Sequence, residues 1–407
     1  MKTEPAGNAS FPHHEKRYPF AEEELKALRA DNRYRFLRRV ESSQAERVVL
    51  DGRPVVLFCS NNYLGLANHP AVKAAAMEAI EQYGCGSGAS RLISGNMRLH
   101  EDLEDRIAHF KVYPACLLFN SGYAANVGIL SSVMGEEDVI YSDALNHASI
   151  IDGCRLSRAR VEIYRHRDPD HLEALLRRSS GYRRKLIVTD SLFSMDGDLA
   201  PLSDLALLAR RYECLLMVDE AHATGVLGLH GRGAAEHFGV EEAVDISMGT
   251  LGKALGSFGA FAALSPTLRE FLVNRARSLI YSTSLPPPVL ASALKALEIV
   301  EKEPARRERL LENARLFAEG IQALGFSRPD PVTPIQRFIL GEEQRTMALC
   351  EQLLKEGIYA QGIRPPTVPA GTSRIRFSLM ATHTRDDIRT ALVALESALP
   401  KPDLLPQ

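Results

Sequence analysis

The sequence predicts an α/β protein with a central, mostly parallel sheet, and two patterns in the middle of the chain support this. Seven short apolar runs have the character of strands that are buried on both faces. Segments with helical periodicity separate them, and such alternation is typical of parallel α/β folds. The predicted strands are Ala115–Phe119, Val139–Ser142, Val161–Tyr164, Lys185–Asp190, Leu215–Asp219, Asp245–Met248 and Gly259–Leu264.

The helical segments repeat apolar side chains at the spacing that places them on one face of a helix. Between the predicted strands, this pattern occurs in His100–Phe110 and Leu202–Tyr212. Outside the strand region it predicts a charged helix over Phe20–Glu41 and two longer helices over Val289–Glu303 and Arg306–Leu324.

The chain has 407 residues, which is more than one hydrophobic core usually accommodates, so two domains are expected. All the predicted strands of the sheet fall in the middle of the chain. We therefore predict a large domain over residues 59–290. Residues 1–58 and 291–407 are predicted to form a smaller α+β domain from both termini.

The composition argues against several classes of partner and location. A formal net charge of −2 offers no basis for binding nucleic acid or a membrane surface. The six cysteines form no C-x-x-C pair, which favours reduced thiols and a cytoplasmic protein. The polar segment Met1–Glu24 lacks the apolar core of a secretory signal. No apolar run approaches the roughly 20 residues that cross a bilayer.

A lysine among small residues follows a predicted strand directly, in the segment Ser247–Gly256. Burial would lower the pKa of the Lys253 amine and leave a neutral nucleophile near pH 7. The neighbouring glycines would let a flat cofactor approach the backbone. Thr250 lies three residues earlier and is placed to reach a phosphate of that cofactor. The alternative is an exposed lysine in a glycine-rich loop.

A second apolar strand ends in Asp219-Glu220-Ala221-His222. An acid at this position can keep a pyridinium nitrogen protonated and so make a ring an electron sink. Asp219 is the first polar residue after the apolar run, and it is our candidate for the acid that binds the ring nitrogen. His222 is our candidate for a hydrogen-bond partner of a ring oxygen. These side chains also suit a metal ion, but no metal-binding spacing occurs, so no metal is predicted.

Three other segments contain candidate cofactor-binding residues. Near Gly122 and Tyr123 a strand passes through a glycine turn into a helix, whose free N–H groups suit a phosphate. His147 follows a strand and is placed to stack on an aromatic cofactor. Ser194 is placed to donate to a ring oxygen. The cluster Gly84–Gly88 follows a helical pattern and not a strand, so a dinucleotide-binding fold is not expected.

Taken together, these motifs resemble the α-oxoamine synthases, a family of pyridoxal 5′-phosphate (PLP) enzymes with the fold-type I aminotransferase architecture. The resemblance extends from about residue 61 to 383. It implies an obligate homodimer with active sites at the interface, and decarboxylative condensation of an amino acid with an acyl thioester. The motifs are Cys59–Leu66, Asn146–Ser149, Phe193–Asp198, Asp219–His222 and Thr250–Lys253.

The resemblance also implies roles for individual residues around the cofactor ring. Lys253 corresponds to the Schiff-base lysine, Asp219 to the partner of the pyridinium nitrogen, and His147 to the residue that stacks on the ring. Ser194 and His222 are expected to bind the ring oxygen.

The cofactor phosphate is expected to contact residues of two subunits. Gly122, Tyr123 and Thr250 would bind it from one chain. Ser282 and Thr283 would reach it from the neighbouring subunit.

The substrates are expected to contact residues of both termini. Arg364 would bind the amino-acid carboxylate, with Thr367 beside the substrate, and His147 would face it from the large domain. Arg38 fits best as an N-terminal substrate arginine, and Arg39 is the alternative.

Within the family, two segments favour a member that condenses L-alanine with a pimeloyl thioester. They are Ile280–Pro287, and Ile363–Pro369 with Ser373–Arg376. The segment Asn146–Gly153 also resembles a sister synthase that uses glycine, which stays an alternative. A non-catalytic partner subunit is a second alternative, but such a subunit would be expected to lack Lys253.

Overall fold

The computed structural model describes residues 18–178, 180–327 and 330–399. The predicted absence of a secretory signal concerns residues that lie mostly outside these ranges. The chain begins with helix α1 (Pro19–Ala30), strands β1 (Arg47–Leu50) and β2 (Arg53–Leu57), and helices α2 (Pro70–Tyr83) and α3 (Arg98–Lys111).

Helix α1 ends earlier than the predicted helix over Phe20–Glu41, so that prediction is wrong beyond Ala30. The backbone at Asn32 has a φ of 55°, and the N–H groups of Arg33 and Tyr34 both bond back to the Leu28 carbonyl. A left-handed asparagine with such backward bonds ends a helix, and asparagine tolerates this conformation well.

The remaining elements follow in chain order through the large and small parts of the fold. The strands are β3 (Ala115–Phe119), β4 (Val139–Asp143), β5 (Arg160–Tyr164), β6 (Lys185–Asp190), β7 (Leu215–Asp219), β8 (Ile246–Thr250), β9 (Ala260–Leu264), β10 (Ile335–Gly341), β11 (Ile358–Tyr359), β12 (Gln361–Ile363) and β13 (Ser373–Ser378). The helices are α4 (Gly122–Val133), α5 (Ala148–Ser157), α6 (Pro169–Leu176), α7 (Leu202–Arg211), α8 (Ala234–Phe238), α9 (Pro266–Arg275), α10 (Arg277–Ile280), α11 (Pro287–Lys302), α12 (Pro304–Ala323), α13 (Glu343–Lys355) and α14 (Arg385–Ala398).

In the described part of the chain, seven strands form the central sheet in the order β3-β9-β8-β7-β6-β4-β5. Strands β8, β7, β6, β4 and β5 run parallel, and β9 is antiparallel to both β8 and β3. The predicted α/β class and the mostly parallel sheet are therefore confirmed. The carboxyl ends of β4, β6, β7 and β8 meet at one edge, where parallel α/β sheets place their ligands.

The inner strands are buried on both faces, as their apolar composition predicts. Successive residues of β6 contribute to different hydrophobic clusters: Ile187 lies in one and Val188 in the other. The edge strand β5 differs, because Arg160 and Ile163 are exposed. Helices packed on both faces therefore hold the strand ends near the middle of the sheet in a rigid arrangement.

Two smaller sheets, each of three strands in the described residues, lie outside the central sheet, in the orders β1-β2-β11 and β10-β13-β12. The parallel pairing of β2 with β11 joins the two ends of the chain, as a small domain built from both termini requires. The predicted boundary at residue 290 falls inside α11, which packs against α2 and α3. The division into domains stays a prediction. None of the helices described is both long and apolar enough to cross a membrane.

Candidate active site

Charged side chains converge at the carboxyl edge of the central sheet. Asp190 and Asp219 end β6 and β7 and are paired residues across the two strands. Lys253 follows β8 and is partly buried. Burial lowers the pKa of its amine, the Asp219 and Asp190 charges oppose that shift, and Arg376 adds to it. A lysine in this environment is closer to its neutral, nucleophilic form than an exposed one.

The Asp219 carboxylate is held in a fixed orientation. Its Oδ2 accepts a hydrogen bond of 2.8 Å from Asn126 Nδ2, and its Oδ1 accepts one of 2.9 Å from the Ala221 N–H. The residue is 4% exposed, and within the described ranges no Lys, Arg or His forms an ion pair with it. A buried carboxylate needs a compensating charge, which a protonated ring nitrogen would supply.

His222 lies beside this edge and is neutral. Its Nδ1 is 2.7 Å from the Tyr63 hydroxyl, and both residues are buried. Burial lowers the pKa of His222 well below its ordinary value, and the positive charges of Lys253 and Arg376 lower it further. A neutral imidazole oriented by Tyr63 can serve as a hydrogen-bond partner of a ring oxygen.

The predicted phosphate-binding residues lie together. Helix α4 starts at Gly122, where a Cβ atom would approach Thr250 Cγ2 to 2.9 Å. The glycine turn and Thr250 therefore form one surface at the N-terminus of a 12-residue helix, where backbone N–H groups favour an anion. The Tyr123 hydroxyl donates a hydrogen bond to Asp152, so the predicted phosphate contact of Tyr123 would come from its backbone N–H.

The loop that contains Ser282 and Thr283 approaches the same turn within one chain. Asn120 Nδ2 donates a hydrogen bond of 2.6 Å to the Thr283 carbonyl, and Thr283 also forms a β-bridge with Ser90. The expectation that these two residues serve the site of a second subunit stays a prediction.

Ser194 lies in a loop that is clamped to the small sheet β10-β13-β12. Its carbonyl accepts a hydrogen bond of 2.5 Å from Arg376 Nε. Two residues further on, the Asp196 carboxylate pairs with Arg337 and Arg374, each at 2.6 Å. These bonds fix Ser194 between the central sheet and the small sheet.

Arg376 is a candidate site residue that the sequence reasoning named only as part of a motif. Its Nη2 donates to Asn61 Oδ1 at 3.1 Å and to the Tyr63 hydroxyl at 3.2 Å. The side chain is buried, yet no carboxylate of the described residues forms an ion pair with it. The alternation of arginine with apolar residues in Ser373–Ser378 was the available signal, because a buried strand seldom contains two arginines without a ligand or partner.

Three of the four predicted substrate residues, Arg38, Arg364 and Thr367, line a separate cavity of about 280 Å³. Arg364 donates to the backbone carbonyls of Asn32 and Tyr34, and Thr367 accepts from Arg35 at 3.3 Å. The geometry therefore joins Arg364 to the N-terminal segment rather than to Lys253. Also in this cavity are Phe36, Leu37, Met347, Leu354 and Tyr359.

Arg38 lies within this cavity but already has a partner in the chain. Its Nη1 is 3.2 Å from Asp51 Oδ2, and its guanidinium lies over the Phe36 ring at 4.8 Å from the centroid. Arg39, the alternative, pairs with Glu41 and is exposed. The role of Arg38 as the N-terminal substrate arginine, with Arg39 as the alternative, stays a prediction.

The residues at the sheet edge fit PLP. They offer an amine of lowered pKa for its aldehyde, an unpaired buried carboxylate for its ring nitrogen, and a glycine turn with a threonine for its phosphate. No group of three or more His, Cys, Asp or Glu side chains suited to a metal ion occurs in the described ranges.

The family profile of class I and II aminotransferases matches residues 53–395. The chain therefore belongs to the class I and II aminotransferase family and, within it, to the α-oxoamine synthases. It is an enzyme of this PLP-dependent type, so the predicted family, enzyme class and cofactor are confirmed.

The similar proteins narrow the group further. An 8-amino-7-oxononanoate synthase of Geobacter sulfurreducens is 56% identical over 91% of this chain and 96% of its own length. The solved serine palmitoyltransferase of Sphingomonas wittichii has a TM-score of 0.89 at 32% identity, covering 93% of this chain and 96% of that one. The solved 8-amino-7-oxononanoate synthase of Francisella tularensis has a TM-score of 0.74 at 32% identity, covering 84% and 97%.

Proposed function

We propose that this enzyme condenses L-alanine with a pimeloyl thioester, with loss of CO₂ and of the thiol, to give 8-amino-7-oxononanoate for biotin biosynthesis. One observation carries the proposal: a lysine of lowered pKa lies beside two buried carboxylates in a chain that is 56% identical to such a synthase. The thioester's carrier is either CoA or acyl carrier protein.

The residues of the sheet edge would hold PLP as the resemblance implies. Lys253 would bind its aldehyde carbon, Asp219 its ring nitrogen and His147 its ring face. Ser194 and His222 would bind the ring oxygen. The phosphate would contact Gly122, Tyr123 and Thr250, with Ser282 and Thr283. When bound, PLP withdraws electrons from the amino-acid Cα and so stabilises a carbanion there.

Proton transfer is the task of Lys253. Burial keeps its amine closer to the neutral form, so Nζ can take the proton from Cα of alanine and later return it. The Asp219 carboxylate beside it stabilises the ammonium that forms, whereas burial and the Asp219 charge raise the pKa of Asp190 and favour its neutral form. Because helices cover both faces of the sheet, these charges interact in a medium of low dielectric, where their effect is largest.

Arg376 is the better placed of two arginines to bind the alanine carboxylate. It is buried among Ser194, Tyr63 and Asn61, and its charge acts on Lys253. A guanidinium with no carboxylate partner in the described chain favours an anionic ligand. We therefore propose Arg376 for this role, which the sequence alone assigned to Arg364.

The cavity of about 280 Å³ that contains Arg35, Arg38 and Arg364, here called the arginine-lined cavity, would bind the acyl part of the thioester. A pimeloyl chain has an apolar body and a carboxylate at its far end. The cavity combines both requirements: Leu354 and Met347 line it together with the cationic Arg35, Arg38 and Arg364. Thr367 also lines the cavity, and we propose that it lies next to the substrate.

The proposed homodimer would bury apolar side chains that are exposed in a single chain. Ile93 is 80% exposed and Tyr281 is 71% exposed, and Leu92 and Phe258 are also exposed. A second copy placed over this surface would bury them and would lie near Thr283. We also propose a cytoplasmic location, which agrees with six cysteines that form no disulfide in the described residues.

The sister activities remain second candidates. Glycine is the substrate of 2-amino-3-ketobutyrate CoA ligase, which Asn146–Gly153 resembles, and the solved serine palmitoyltransferases are similar in fold. A partner subunit without catalysis is disfavoured, because Lys253 is present with its two carboxylates.

A product assay tests the proposal. The purified holoenzyme would be incubated with L-alanine, glycine or L-serine, each paired with pimeloyl-CoA, pimeloyl-acyl carrier protein or acetyl-CoA, and products identified by mass spectrometry. We expect 8-amino-7-oxononanoate from L-alanine and a pimeloyl thioester, with much slower reactions otherwise. A clear preference for glycine with acetyl-CoA would contradict it.

A further inference from the structure

A continuous chain of hydrogen bonds connects Asp219 to His147 beneath the site. Asn126 lies in α4 and is 1% exposed, and its Nδ2 is 2.8 Å from Asp219 Oδ2 and 2.9 Å from Ser149 Oγ. An ionised carboxylate only accepts hydrogen bonds, so the amide nitrogen must face Asp219. Both N–H groups of the amide are therefore committed, one to the carboxylate and one to the hydroxyl.

Ser149 connects the Asn126 amide to the His147 imidazole through hydrogen bonds. Its hydroxyl oxygen accepts from Asn126, which leaves its one proton free to donate, and His147 Nδ1 lies 2.8 Å away. The Ser149 backbone N–H also donates to the same Nδ1 at 3.2 Å. A nitrogen that receives two donors has no proton of its own.

The neutral state of His147 completes the argument. Burial lowers the pKa of His147, the Asp219 charge raises it, and Lys253 lowers it again, with a net shift downward. A neutral imidazole with an unprotonated Nδ1 carries its proton on Nε2. The His147 backbone is fixed too, because its N–H donates to the buried Asp190 carboxylate at 2.7 Å.

We propose that Asn126 and Ser149 are positioning residues that lock His147 in its Nε2–H tautomer and couple its orientation to Asp219. The Asp219 charge orients the amide, the amide orients the hydroxyl, and the hydroxyl fixes the ring. His147 thereby presents an N–H donor, and not an acceptor, to whatever occupies the site. Only the catalytic consequence rests on the proposed function, since the tautomer is a property of the chain itself.

The Oδ1 atom of Asn126 is buried and has no hydrogen-bond partner in the described residues. The amide is therefore oriented by its two donor bonds, to Asp219 and to Ser149, and not by a partner of its oxygen.

The direct test is the tautomer of His147 in the full-chain holoenzyme. The protein would be labelled with ¹⁵N-histidine, and long-range ¹H–¹⁵N correlations would be compared with those of His147→Asn to identify His147 among the 12 histidines. We expect an unprotonated Nδ1 and a protonated Nε2 at pH 7. A protonated Nδ1 in the wild-type enzyme would overturn the inference.

Variants of the hydroxyl separate positioning from general stability. Ser149→Ala removes one donor to Nδ1 and should give a mixture of tautomers, whereas Ser149→Thr should restore the wild-type pattern. Ser157→Ala is the matched control, since Ser157 is buried in the same helix and bonds only local backbone. An unchanged tautomer in Ser149→Ala would also refute the proposed role.

A kinetic readout adds the consequence for the reaction. Loss of one oriented hydrogen bond should lower kcat of Ser149→Ala roughly tenfold while the KM for alanine changes little. If the product assay fails to give 8-amino-7-oxononanoate, the NMR result still stands or falls alone. A locked tautomer with an unexpected product would refute the proposed function and leave this inference intact.

Discussion

The sheet edge around Lys253 and the arginine-lined cavity are both charged, but they are built in different ways. At the sheet edge, Asp190 and Asp219 end two neighbouring strands and Lys253 follows the next one, and all three are largely buried. The cavity joins residues 34–38 to residues 347–367, which are 309 to 333 positions away in sequence. Strand register sets the first arrangement, whereas packing between the two ends of the chain sets the second.

This difference predicts that the two regions contribute to different steps, the sheet edge to the chemical reaction and the cavity to substrate binding. Side chains at the sheet edge are oriented by buried hydrogen bonds before any ligand arrives, which is what transition-state stabilisation requires. Arg364 in the cavity bonds backbone carbonyls of a segment that includes exposed Arg35 and Leu37. We expect changes of Lys253 and Asp219 to reduce kcat, and changes of the substrate-binding arginines Arg376 and Arg364 to raise KM.

The largest effect is expected from Lys253→Ala, which removes the cofactor's attachment and the base at Cα together. Turnover should be abolished, measured as product formation, while the thermal melt of the protein stays close to that of wild type. Lys295→Ala on α11 is a suitable control, because this lysine pairs only with Glu298 outside the site. Substantial turnover by Lys253→Ala would disprove its assignment.

Asp219→Asn should lower kcat by several orders of magnitude while PLP remains bound. The amide keeps the shape of the carboxylate but cannot hold a ring proton by charge, and each tenfold loss corresponds to about 1.4 kcal/mol. Stopped-flow kinetics with alanine would measure the rate, and absorbance would measure bound cofactor. A rate near that of wild type would show that another acid performs this role, such as Asp190, which is paired with Asp219 across the two strands.

Arg376→Lys should raise the KM for L-alanine by about ten- to a hundredfold, because a lysine cannot reproduce the guanidinium fork. The KM for the pimeloyl thioester should change much less. Arg374→Lys is the matched control on the same strand, since Arg374 pairs with Asp196 and not with the site. An unchanged alanine KM would exclude Arg376 as the carboxylate-binding residue.

Arg364→Lys tests the other side of the comparison. We expect a several-fold rise in the KM for the pimeloyl thioester and a slightly lower melting temperature, because the bonds to Asn32 and Tyr34 weaken. Titrations of both substrates beside a thermal melt would measure this. A larger rise in the alanine KM at normal melting temperature would restore the role that the sequence predicted for Arg364.

Mixed dimers would show whether each active site contains residues of one chain or of both. If Thr283 reaches the other subunit's phosphate, dimers of a Lys253→Ala chain and a Thr283→Ala chain collect both changes in one site. The second site is then intact, and about half the activity of a wild-type dimer should return in the mixed species. Failure to recover activity on mixing would indicate that each site uses its own Thr283, as the contact with Asn120 also permits.

Much of this site was accessible from the sequence, because its residues follow short apolar strands. The predicted strands Ala115–Phe119, Lys185–Asp190 and Leu215–Asp219 agree with the structure at both ends. Once a parallel sheet is predicted, the residues after its strands must share one edge. Local pattern placed Lys253, Asp219 and His147 at this edge, where the structure also has them, and their roles toward the cofactor stay predictions.

Only the tertiary structure decided which residues orient and complete the site. Asn126 of α4 connects Asp219 to Ser149 of α5, and no local pattern relates residues that are 93 and 23 positions apart. Arg376 and Arg364 both occur in arginine-containing segments of the small domain, and their sequence contexts do not reveal which one is buried against Ser194. Long-range packing decides this, because a buried charge is placed by neighbours that are distant in the chain.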